Sequence, residues 1–314
     1  MPTPVPPAIA SDSTGLGDVQ WVTDVRDGLR DYPKYSGTTW TADGTNGVLG
    51  PNSTPFVAPH APLNDLSVRV FDATSSTTYT VITSGTPTST QVLVNLDTGE
   101  FTWNTAPAAS HAIQITYQYC KWRDLSIETA LYAGLRAMFP HVGKTYQDIS
   151  IPIQVNVWDY TLPIWAQDPR SRIIKVEYQD PYIVIEPWKP LQNWEMNGVG
   201  SIHLPRAQSL SPTARLRLTG WGPYLTLGDL EPQLYHLPIW YALSVLLPKL
   251  ESFRLRQDTM IPIAQEGGQA PGLLTQTGDY YAKRFEIELQ RLARVMGPGW
   301  SIPMRSTYDR RIHL

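Results

Sequence analysis

The amino-acid sequence predicts an α+β protein in which a small helical bundle carries an inserted β-lobe. A helical pattern of apolar residues begins at Trp122, stops near Pro140 and resumes only at about Asp229. The residues between these stretches have the composition of strands and turns, and the N-terminal third contains a separate series of short strands. The interruption therefore indicates one bundle with a β-lobe on one of its connections, an N-terminal antiparallel β-sandwich module and a C-terminal extended arm.

The chain has 314 residues, which is enough for two or three domains with cores of their own. Its patterns divide it into five predicted parts. These are an extended arm at residues 1–16, a short helix plus β-sandwich module at 17–121, a helical bundle at 122–145 and 228–296, the inserted β-lobe at 146–227, and a C-terminal arm at 297–314.

The start of the chain combines an unpatterned segment with one short helix. Residues 1–16 are rich in Pro and Ser and offer nothing to bury, so we expect an extended arm. Asp18 can cap a helix that runs to Asp31. Tyr32-Pro33 ends this helix, because the residue before a proline avoids the α region. The Thr, Gly and Asp content of Gly37–Asn52 then predicts a loop.

Six short strands separated by turn residues follow this loop. They are rich in β-branched and aromatic residues, and Asp97-Thr98-Gly99 supplies a hairpin turn. This spacing is typical of a small antiparallel sandwich. The predicted strands are Phe56-Val57, Leu66–Phe71, Thr78–Thr83, Gln91–Leu96, Glu100–Trp103 and Ile113–Tyr119.

One helix precedes the inserted β-lobe. It starts near Asp124, places Leu131, Leu135 and Met138 at helical spacing, and closes at Pro140. In the lobe, short strands alternate with turn dipeptides such as Asp-Pro and Asn-Gly. Its predicted strands are Ile149–Val157, Thr161-Leu162, Ile173–Tyr178, Tyr182–Pro187, Ser201–Leu204 and Ala214–Trp221.

Two further helices and a long loop are predicted after the lobe. One helix runs from Pro238 to Leu247 or slightly beyond, and residues 257–278 form a loop of a length that is usually functional. The last helix, Asp279–Met296, is amphipathic. Its apolar stripe is Tyr281, Phe285, Leu289, Leu292 and Met296, and its charged face is Lys283, Arg284, Glu286, Glu288, Arg291 and Arg294.

The composition has few charges and many aromatic residues. Charged residues make up 17% of the chain, against roughly 25% in typical domains, and there are 11 Trp and 16 Tyr. This is typical of a protein largely covered by partners, although a Pro-rich β-protein with aromatic cores would have the same composition. The net charge of −3, without a long basic block, argues against a dedicated DNA-binding protein.

No segment of the sequence predicts membrane insertion or export. No apolar run reaches about 18 residues. The Pro-rich start also lacks the charged and apolar regions of a signal peptide. We therefore expect a soluble protein that is made in the cytoplasm and has no membrane partner.

The candidate catalytic residues favour a protein that is not an enzyme. The single cysteine, Cys120, ends a strand-like run and is expected to be buried, and the six histidines show no metal-ligand spacing. P-loop, dinucleotide-binding and nucleophile-elbow motifs are absent. The sequence therefore predicts no catalytic residue, no cofactor and no bound metal.

Three carboxylates in an aromatic-rich part of the β-lobe leave two interpretations open. Glu177, Glu186 and Glu195 lie near Trp188 and Trp194, a combination that suits a sugar-binding surface. The same residues also suit aromatic packing and subunit contacts, which is the interpretation we favour.

The C-terminal tail contains the strongest candidate binding site in the sequence. Trp300, Arg305, Tyr308, Arg310 and Arg311 are of the residue types that anchor interfaces. An extended segment of this kind can add a strand to a partner's sheet or fill a groove between subunits. The alternative is a solvated tail without fixed structure.

The order of the parts resembles the head-to-tail adaptor, or connector, proteins of tailed bacteriophages. The resemblance rests on Asp124–Phe139, on Tyr160–Pro163 with Arg172–Tyr178, and on the closing helix Tyr280–Met296. The passage Tyr-Thr-Leu-Pro followed by Arg-Ile-Ile-Lys-Val looks like the corresponding passage of adaptor β-lobes. Part of the N-terminal region, including Val94–Phe101, looks like a β-sandwich that recurs in virion neck proteins.

The resemblance implies a structural virion protein of the neck, synthesised in the host cytoplasm. Its copies would form a homo-oligomeric ring, a dodecamer, beneath the portal protein, and the C-terminal arm would dock on the portal. Stopper or tail proteins would bind downstream, and DNA would pass through the channel during genome ejection without specific binding. The ring-body helices would pack through Leu131, Leu135, Met138, Tyr281, Phe285, Leu289 and Leu292.

Two other functions remain as alternatives at this stage. One is a tail or baseplate component whose β-modules bind host glycan or other tail proteins. The other, less favoured, is an enzyme such as a wall hydrolase, for which the sequence offers no acid–base constellation.

Overall fold

A computed structural model of the protein describes residues 16–45, 47, 56–64, 67–154, 157–179, 188–197, 200–205, 214–257 and 272–296. The chain divides into two compact units, Met1–Ala130 and Leu131–Leu314. The predicted arms, apart from Leu16, and the predicted strand Tyr182–Pro187 lie outside the described residues.

The first unit contains one helix and a seven-stranded sheet. The strand order in the sheet is β1-β7-β3-β4-β5-β6-β2. Alternate strand residues are buried, and the fully buried side chains include Phe101, Trp103, Ile115 and Tyr117. The elements are α1 (Leu16–Leu29), β1 (Lys34–Thr41), β2 (Phe56–Val57), β3 (Arg69–Asp72), β4 (Thr77–Ile82), β5 (Gln91–Asn95), β6 (Glu100–Trp103) and β7 (Ala112–Tyr119).

Strand β1 occupies part of the segment that the sequence predicts as a loop, so that prediction is wrong for Gly37–Thr41. β1 pairs antiparallel with β7 along all eight of its residues, from Lys34 opposite Tyr119 to Thr41 opposite Ala112. Trp40 adds packing to this pairing, because its ring lies 5.9 Å from that of Trp103 and 4.8 Å from that of Phe56. Long-range pairing and aromatic burial therefore override the local turn composition.

The sheet is mixed, whereas the sequence predicts only antiparallel pairs. Strands β4 and β5 run parallel, with Val81 opposite Val92. The reason is that the connection between them, residues 83–90, does not form a hairpin but returns the chain to the same end of the sheet. The predicted α+β class with a sandwich-like N-terminal module is nevertheless confirmed.

The second unit contains helices and two smaller sheets. The four-stranded sheet has the order β11-β10-β14-β8, and the three-stranded sheet has the order β12-β13-β9. One helix, α2 (Asp124–Met138), begins in the first unit and ends in the second. The other elements are β8 (Lys144–Asp148), β9 (Asp159–Thr161), β10 (Arg172–Gln179), β11 (Lys189–Pro190), β12 (Glu195–Met196), β13 (Ser201–His203), β14 (Arg215–Gly222), α3 (His236–Gln257) and α4 (Leu273–Met296).

The β-lobe is inserted between α2 and α3 through a pair of neighbouring strands. β8 carries the chain into the lobe and β14 carries it out, and they pair antiparallel from Lys144 opposite Gly222 to Asp148 opposite Leu218. A Cβ on Gly220 would lie 2.5 Å from the carbonyl oxygen of Arg172 and 2.6 Å from the Trp165 ring. Glycine is therefore required for this close approach.

Two boundaries in the second unit differ from the sequence prediction. The strand predicted at Ile149–Val157 is replaced by β8, which lies just before it, and Pro152 makes only an isolated bridge to Arg215. A proline has no N–H to donate to a ladder, which explains the end of regular pairing there. The last helix begins at Leu273 and not at Asp279, so the predicted loop 257–278 is too long at its C-terminal end.

Helix α3 continues past Pro248, beyond the end expected near Leu247. Pro248 cannot donate a hydrogen bond to Ser244, four residues earlier. A Cβ on Gly278 of α4 would lie 2.8 Å from the Pro248 ring and 3.3 Å from the Ser244 carbonyl oxygen. Gly278 therefore permits close contact of α3 and α4. It lies inside α4 and is not the end of the predicted loop 257–278.

Candidate partner-binding surface

In the second unit α3 packs along α4 and also meets α2 at Gly134, although the β-lobe separates α2 from the other two helices in sequence. A Cβ on Gly134 of α2 would lie 2.9 Å from Cβ of Tyr241 and 3.1 Å from Cα of Pro238, both on α3. The ring of Tyr241 in turn contacts Phe285 of α4, at 5.4 Å between centroids. Most of the residues predicted to pack between these helices are buried, namely Leu131, Leu135, Met138, Phe285, Leu289 and Leu292, and Tyr281 is half-buried.

A buried carboxylate on α3 caps the N-terminus of α4. Glu251 accepts hydrogen bonds from the backbone N–H groups of Gly272 and Leu274, both at 3.1 Å. These donors lie at the N-terminal end of α4, where backbone N–H groups have no intrahelical acceptors. The carboxylate thus fixes where α4 starts relative to α3.

One end of the α3–α4 pair presents a cluster of cationic and aromatic side chains. The Arg284 guanidinium lies 4.6 Å from the ring of Trp240 and 5.5 Å from that of Tyr280. His236 packs against Trp240, at 4.4 Å between centroids. Glu288 accepts from Arg291, which holds the pKa of Glu288 below its usual range. These contacts hold several charged groups of α4 in place and leave one face of the helix open.

That open face carries apolar side chains at heptad spacing. Leu273, Tyr280 and Ile287 follow one another every seven residues and are 41%, 53% and 67% exposed. They lie on the side of α4 opposite to the buried residues. Four cationic residues, Lys283, Arg284, Arg291 and Arg294, surround them on neighbouring positions of the helix. We call these seven residues the outer face of α4.

The sequence pattern predicts a charged, solvent-exposed surface on this part of α4, and the apolar stripe is not among the predicted features. The cause is the helix boundary, because a helix that starts at Asp279 excludes Leu273 and leaves only two members of the repeat. The signal that could have found it is the seven-residue spacing of Leu273, Tyr280 and Ile287.

The two units differ in net charge. Residues 1–130 contain 12 acidic and six basic side chains, which gives a net charge of −6. Residues 131–314 contain 16 acidic and 19 basic side chains, which gives a net charge of +3. In the first unit, α1 carries the exposed Asp27 and the half-buried Asp24, and Tyr32 follows at 58% exposure. A hydrogen bond to Asp27 raises the pKa of the Tyr32 hydroxyl. We call Asp24, Asp27 and Tyr32 the acidic face of α1.

Cys120 is buried, as predicted, and is held as a thiol. Its Sγ donates to the carbonyl oxygen of Trp122 at 2.8 Å. Burial raises the pKa of the thiol to about 11. Few thiolates therefore form near neutral pH, and the thiolate is the nucleophilic form.

The carboxylate cluster suggested for sugar binding is divided by the fold. Glu177 accepts two hydrogen bonds from Arg217, at 2.9 and 2.7 Å, and the same guanidinium covers the ring of Trp188 at 4.4 Å. Trp194 packs on the lobe core, and Glu195 is exposed on β12. Glu177 and Trp188 are therefore in structural contacts, and Glu186 lies outside the described residues.

A different polar row lies on the three-stranded sheet of the lobe. Asp159 of β9 bonds Nδ1 of His203 at 2.8 Å and accepts from Asn197 at 3.2 Å. Glu195 is the cross-strand neighbour of His203. Trp158 is 50% exposed, and its ring lies 6.5 Å from that of His203. Within the described residues, no three His, Cys, Asp or Glu side chains are placed to hold a metal ion.

A cleft of about 300 Å³ lies where the end of α2 meets the lobe. Its Arg170 donates to Asp168 and to the carbonyl oxygen of Phe139. These bonds hold Arg170, one of the two arginines of the cleft, in structural contacts.

The predicted portal-contact residues Trp300, Arg305, Tyr308, Arg310 and Arg311 lie outside the described residues. Among the helices that the structure does describe, none has the length and apolar character needed to cross a membrane. Comparisons of the chain with models of known protein families, with curated proteins and with solved structures found no match.

Proposed function

We propose that this chain is a structural virion protein, a head-to-tail adaptor whose copies form a ring beneath the portal of a tailed bacteriophage. The observation that carries the proposal is the insertion itself. Helix α3 packs along α4 and meets α2 at Gly134, and the β-lobe enters and leaves between α2 and α3 through the paired strands β8 and β14. The helices can then pack against equivalent copies while the β-lobe contacts other proteins of the neck.

The surface chemistry supports a ring whose channel lets DNA slide. A contact between different surfaces of identical copies generates a closed ring when its rotation closes. The outer face of α4 supplies exposed apolar and cationic residues for such a contact. The net charge of the whole chain, −3, gives it no strong overall attraction for phosphate. In this proposal, stopper and tail proteins bind downstream of the ring, and Trp300, Arg305, Tyr308, Arg310 and Arg311 dock on the portal.

The experiment that tests this function combines the purified full chain with purified portal rings. We expect co-elution on size exclusion and an additional ring beneath the portal in electron micrographs. A chain truncated after Met296 should keep its fold and lose portal binding, because it lacks the C-terminal arm. A wild-type chain that stays monomeric and does not bind portal rings contradicts the proposal.

The polar row of the lobe favours a second candidate, a tail or baseplate component that binds glycans. An exposed tryptophan beside Asp159, Asn197 and His203 offers a ring for a sugar face and hydrogen-bonding groups for its hydroxyls. A glycan array with the full chain tests it, with Trp158→Ala as the disabling variant. Trp188→Ala serves as the control, since Arg217 already covers that ring. Binding that is unaffected by Trp158→Ala excludes this site.

A further inference from the structure

We infer that the outer face of α4 binds the acidic face of α1 on a second copy of this chain. The inference rests on the proposed ring and identifies the two surfaces through which one copy contacts the next. It follows from three observations: an exposed apolar stripe on α4, cations around this stripe, and carboxylates beside exposed tyrosine on α1.

The apolar stripe is long enough for a helix–helix contact. Leu273 and Ile287 are 14 residues apart on α4, a distance of about 21 Å at 1.5 Å per residue. Helix α1 has 14 residues, and the acidic face lies at its C-terminal end. Heptad spacing keeps Leu273, Tyr280 and Ile287 in line along one side of α4, which is the arrangement that packs against another helix.

The cations around the stripe select an acidic partner. Arg284 stacks on Trp240 and Tyr280, and Arg291 is paired with Glu288. Lys283 and Arg294 make no ion pair with any carboxylate of the described residues. Two cations beside exposed apolar side chains attract a surface that combines carboxylates with an apolar group.

The acidic face of α1 has this chemistry. Asp27 is exposed, and Asp24, one turn earlier, is half-buried and accepts from Gln20. The exposed ring of Tyr32 lies next to Asp27, and Arg30 is the cation close to this ring. Two other carboxylates of the first unit are engaged internally: Asp72 bonds His111 and its own turn, and Asp124 bonds Arg26. The net charge of −6 on this unit adds a longer-range attraction to the cationic face of α4.

Other occupants fit the outer face less well. The chain's own C-terminal segment, residues 297–314, contains Arg305, Arg310 and Arg311 but only one carboxylate, Asp309, so it would bring like charge to α4. A nucleic acid would pair with the cations but would leave the heptad stripe of Leu273, Tyr280 and Ile287 uncovered.

A charge-swap experiment on the full chain tests the inference. Variant one, Lys283→Glu with Arg294→Glu, reverses the two cations of the outer face of α4 that make no ion pair, and variant two, Asp24→Lys with Asp27→Lys, reverses the two carboxylates of the acidic face of α1. Sedimentation velocity at about 0.05 M salt should show self-association weakened about tenfold or more in each variant alone. Glu286→Lys, on another side of α4, is the matched control and should associate like the wild type.

Mixing the two variants shows whether the contact joins different copies. In a mixture, each reversed α4 can pair with a reversed α1, and each native α4 with a native α1, so alternating copies should associate again. A chain that carries all four substitutions should also associate again. Circular dichroism of every variant checks that folding is intact.

The outcomes separate this inference from the proposed function. If the wild type forms rings on the portal and the reversals do not change its self-association, the inference is wrong and the adaptor function stands. Failure of the mixture to associate likewise overturns the inference. If the wild type assembles only when duplex DNA is present, and variant one loses binding to this DNA together with its association, the outer face of α4 binds nucleic acid. The inference is then overturned. A wild-type chain that neither self-associates nor binds portal rings overturns the proposed function itself.

Discussion

The guanidinium of Arg26 in α1 is bound to the carboxylate of Asp124 at the start of α2, 98 residues later in the chain. Nη2 and Nε of Arg26 lie 2.5 and 3.1 Å from Oδ1 of Asp124. The same side chain donates to the carbonyl oxygens of Asp31 and Trp122 and is 95% buried. A buried cation is tolerated because it is surrounded by acceptors, and these acceptors come from distant parts of the first unit.

Replacing Arg26 should lower the free energy of unfolding of the first unit. Arg26→Leu leaves the carboxylates of Asp31 and Asp124 without their partner, and breaking a buried pair costs about 3–5 kcal/mol. We expect a loss of this size in the free energy of unfolding, measured by urea titration at pH 7. The matched control is Lys34→Met on the exposed strand β1, with an expected change within about 0.5 kcal/mol. Equal losses for both variants would show that Arg26 does not organise this unit.

Protonation of the buried carboxylate of Asp72 should contribute to the loss of stability at low pH. Burial alone would raise its pKa, but hydrogen bonds from Ser75, His111 and Thr74 outweigh burial and lower the pKa from 3.8 to about 2. A lowered folded-state pKa means that the stabilisation is complete above about pH 4 and is lost as the pH falls through about 2.

Asp72→Asn tests this contribution. At pH 7 the variant should be less stable by about 2 kcal/mol, because a shift of one pKa unit corresponds to roughly 1.4 kcal/mol. The difference from the wild type should shrink between pH 4 and pH 2, as followed by urea unfolding at several pH values. A difference from the wild type that is constant with pH would mean that Asp72 acts through packing alone.

Glu251 should determine the stability of the first turn of α4. Glu251→Ala removes the acceptor of the Gly272 and Leu274 N–H groups, and loss of a helix cap costs about 1–2 kcal/mol. Hydrogen exchange of the amides at 272–276 should speed up in the variant, while the amides near Leu289 should change little. Glu286→Ala, exposed on the same helix, is the control. Unchanged exchange at 272–276 would show that another group caps the helix.

Local signals in the sequence predicted much of this fold. Asp124 was expected at the start of a helix and lies in the first turn of α2. The turn at Asp97–Gly99 joins β5 to β6, and Gly99 has the positive φ of +74° that such a turn requires. The burial of Leu131 and Phe285 followed from helical periodicity, because period alone fixes which side of a helix is apolar.

The parts that could not be predicted depend on contacts distant in sequence. Strand β1 exists because β7, about 75 residues later, pairs with it, and its own composition resembles a loop. The first two turns of α4 depend on the carboxylate of Glu251 and on the fit of Gly278 against Pro248. Because the boundary of α4 was misplaced, the exposed repeat that contains Leu273 could not be recognised as a candidate interface.

The contact between Gly278 and Pro248 provides a direct test of how α3 and α4 pack. Gly278→Ala would gain about 1 kcal/mol of helix propensity, but its Cβ would lie 2.8 Å from the Pro248 ring, and overpacking of this kind costs about 1–3 kcal/mol. We expect net destabilisation of about 1 kcal/mol by thermal or urea unfolding. In a Pro248→Ala background the ring is absent, so Gly278→Ala should there be neutral or stabilising, and the double-mutant cycle should give a coupling near 1–2 kcal/mol. Gly228→Ala is the control, since its nearest neighbour is 4.0 Å away. Additive effects of the two substitutions would mean that these helices do not meet at Gly278, and the single helical body on which the adaptor proposal rests would be in question.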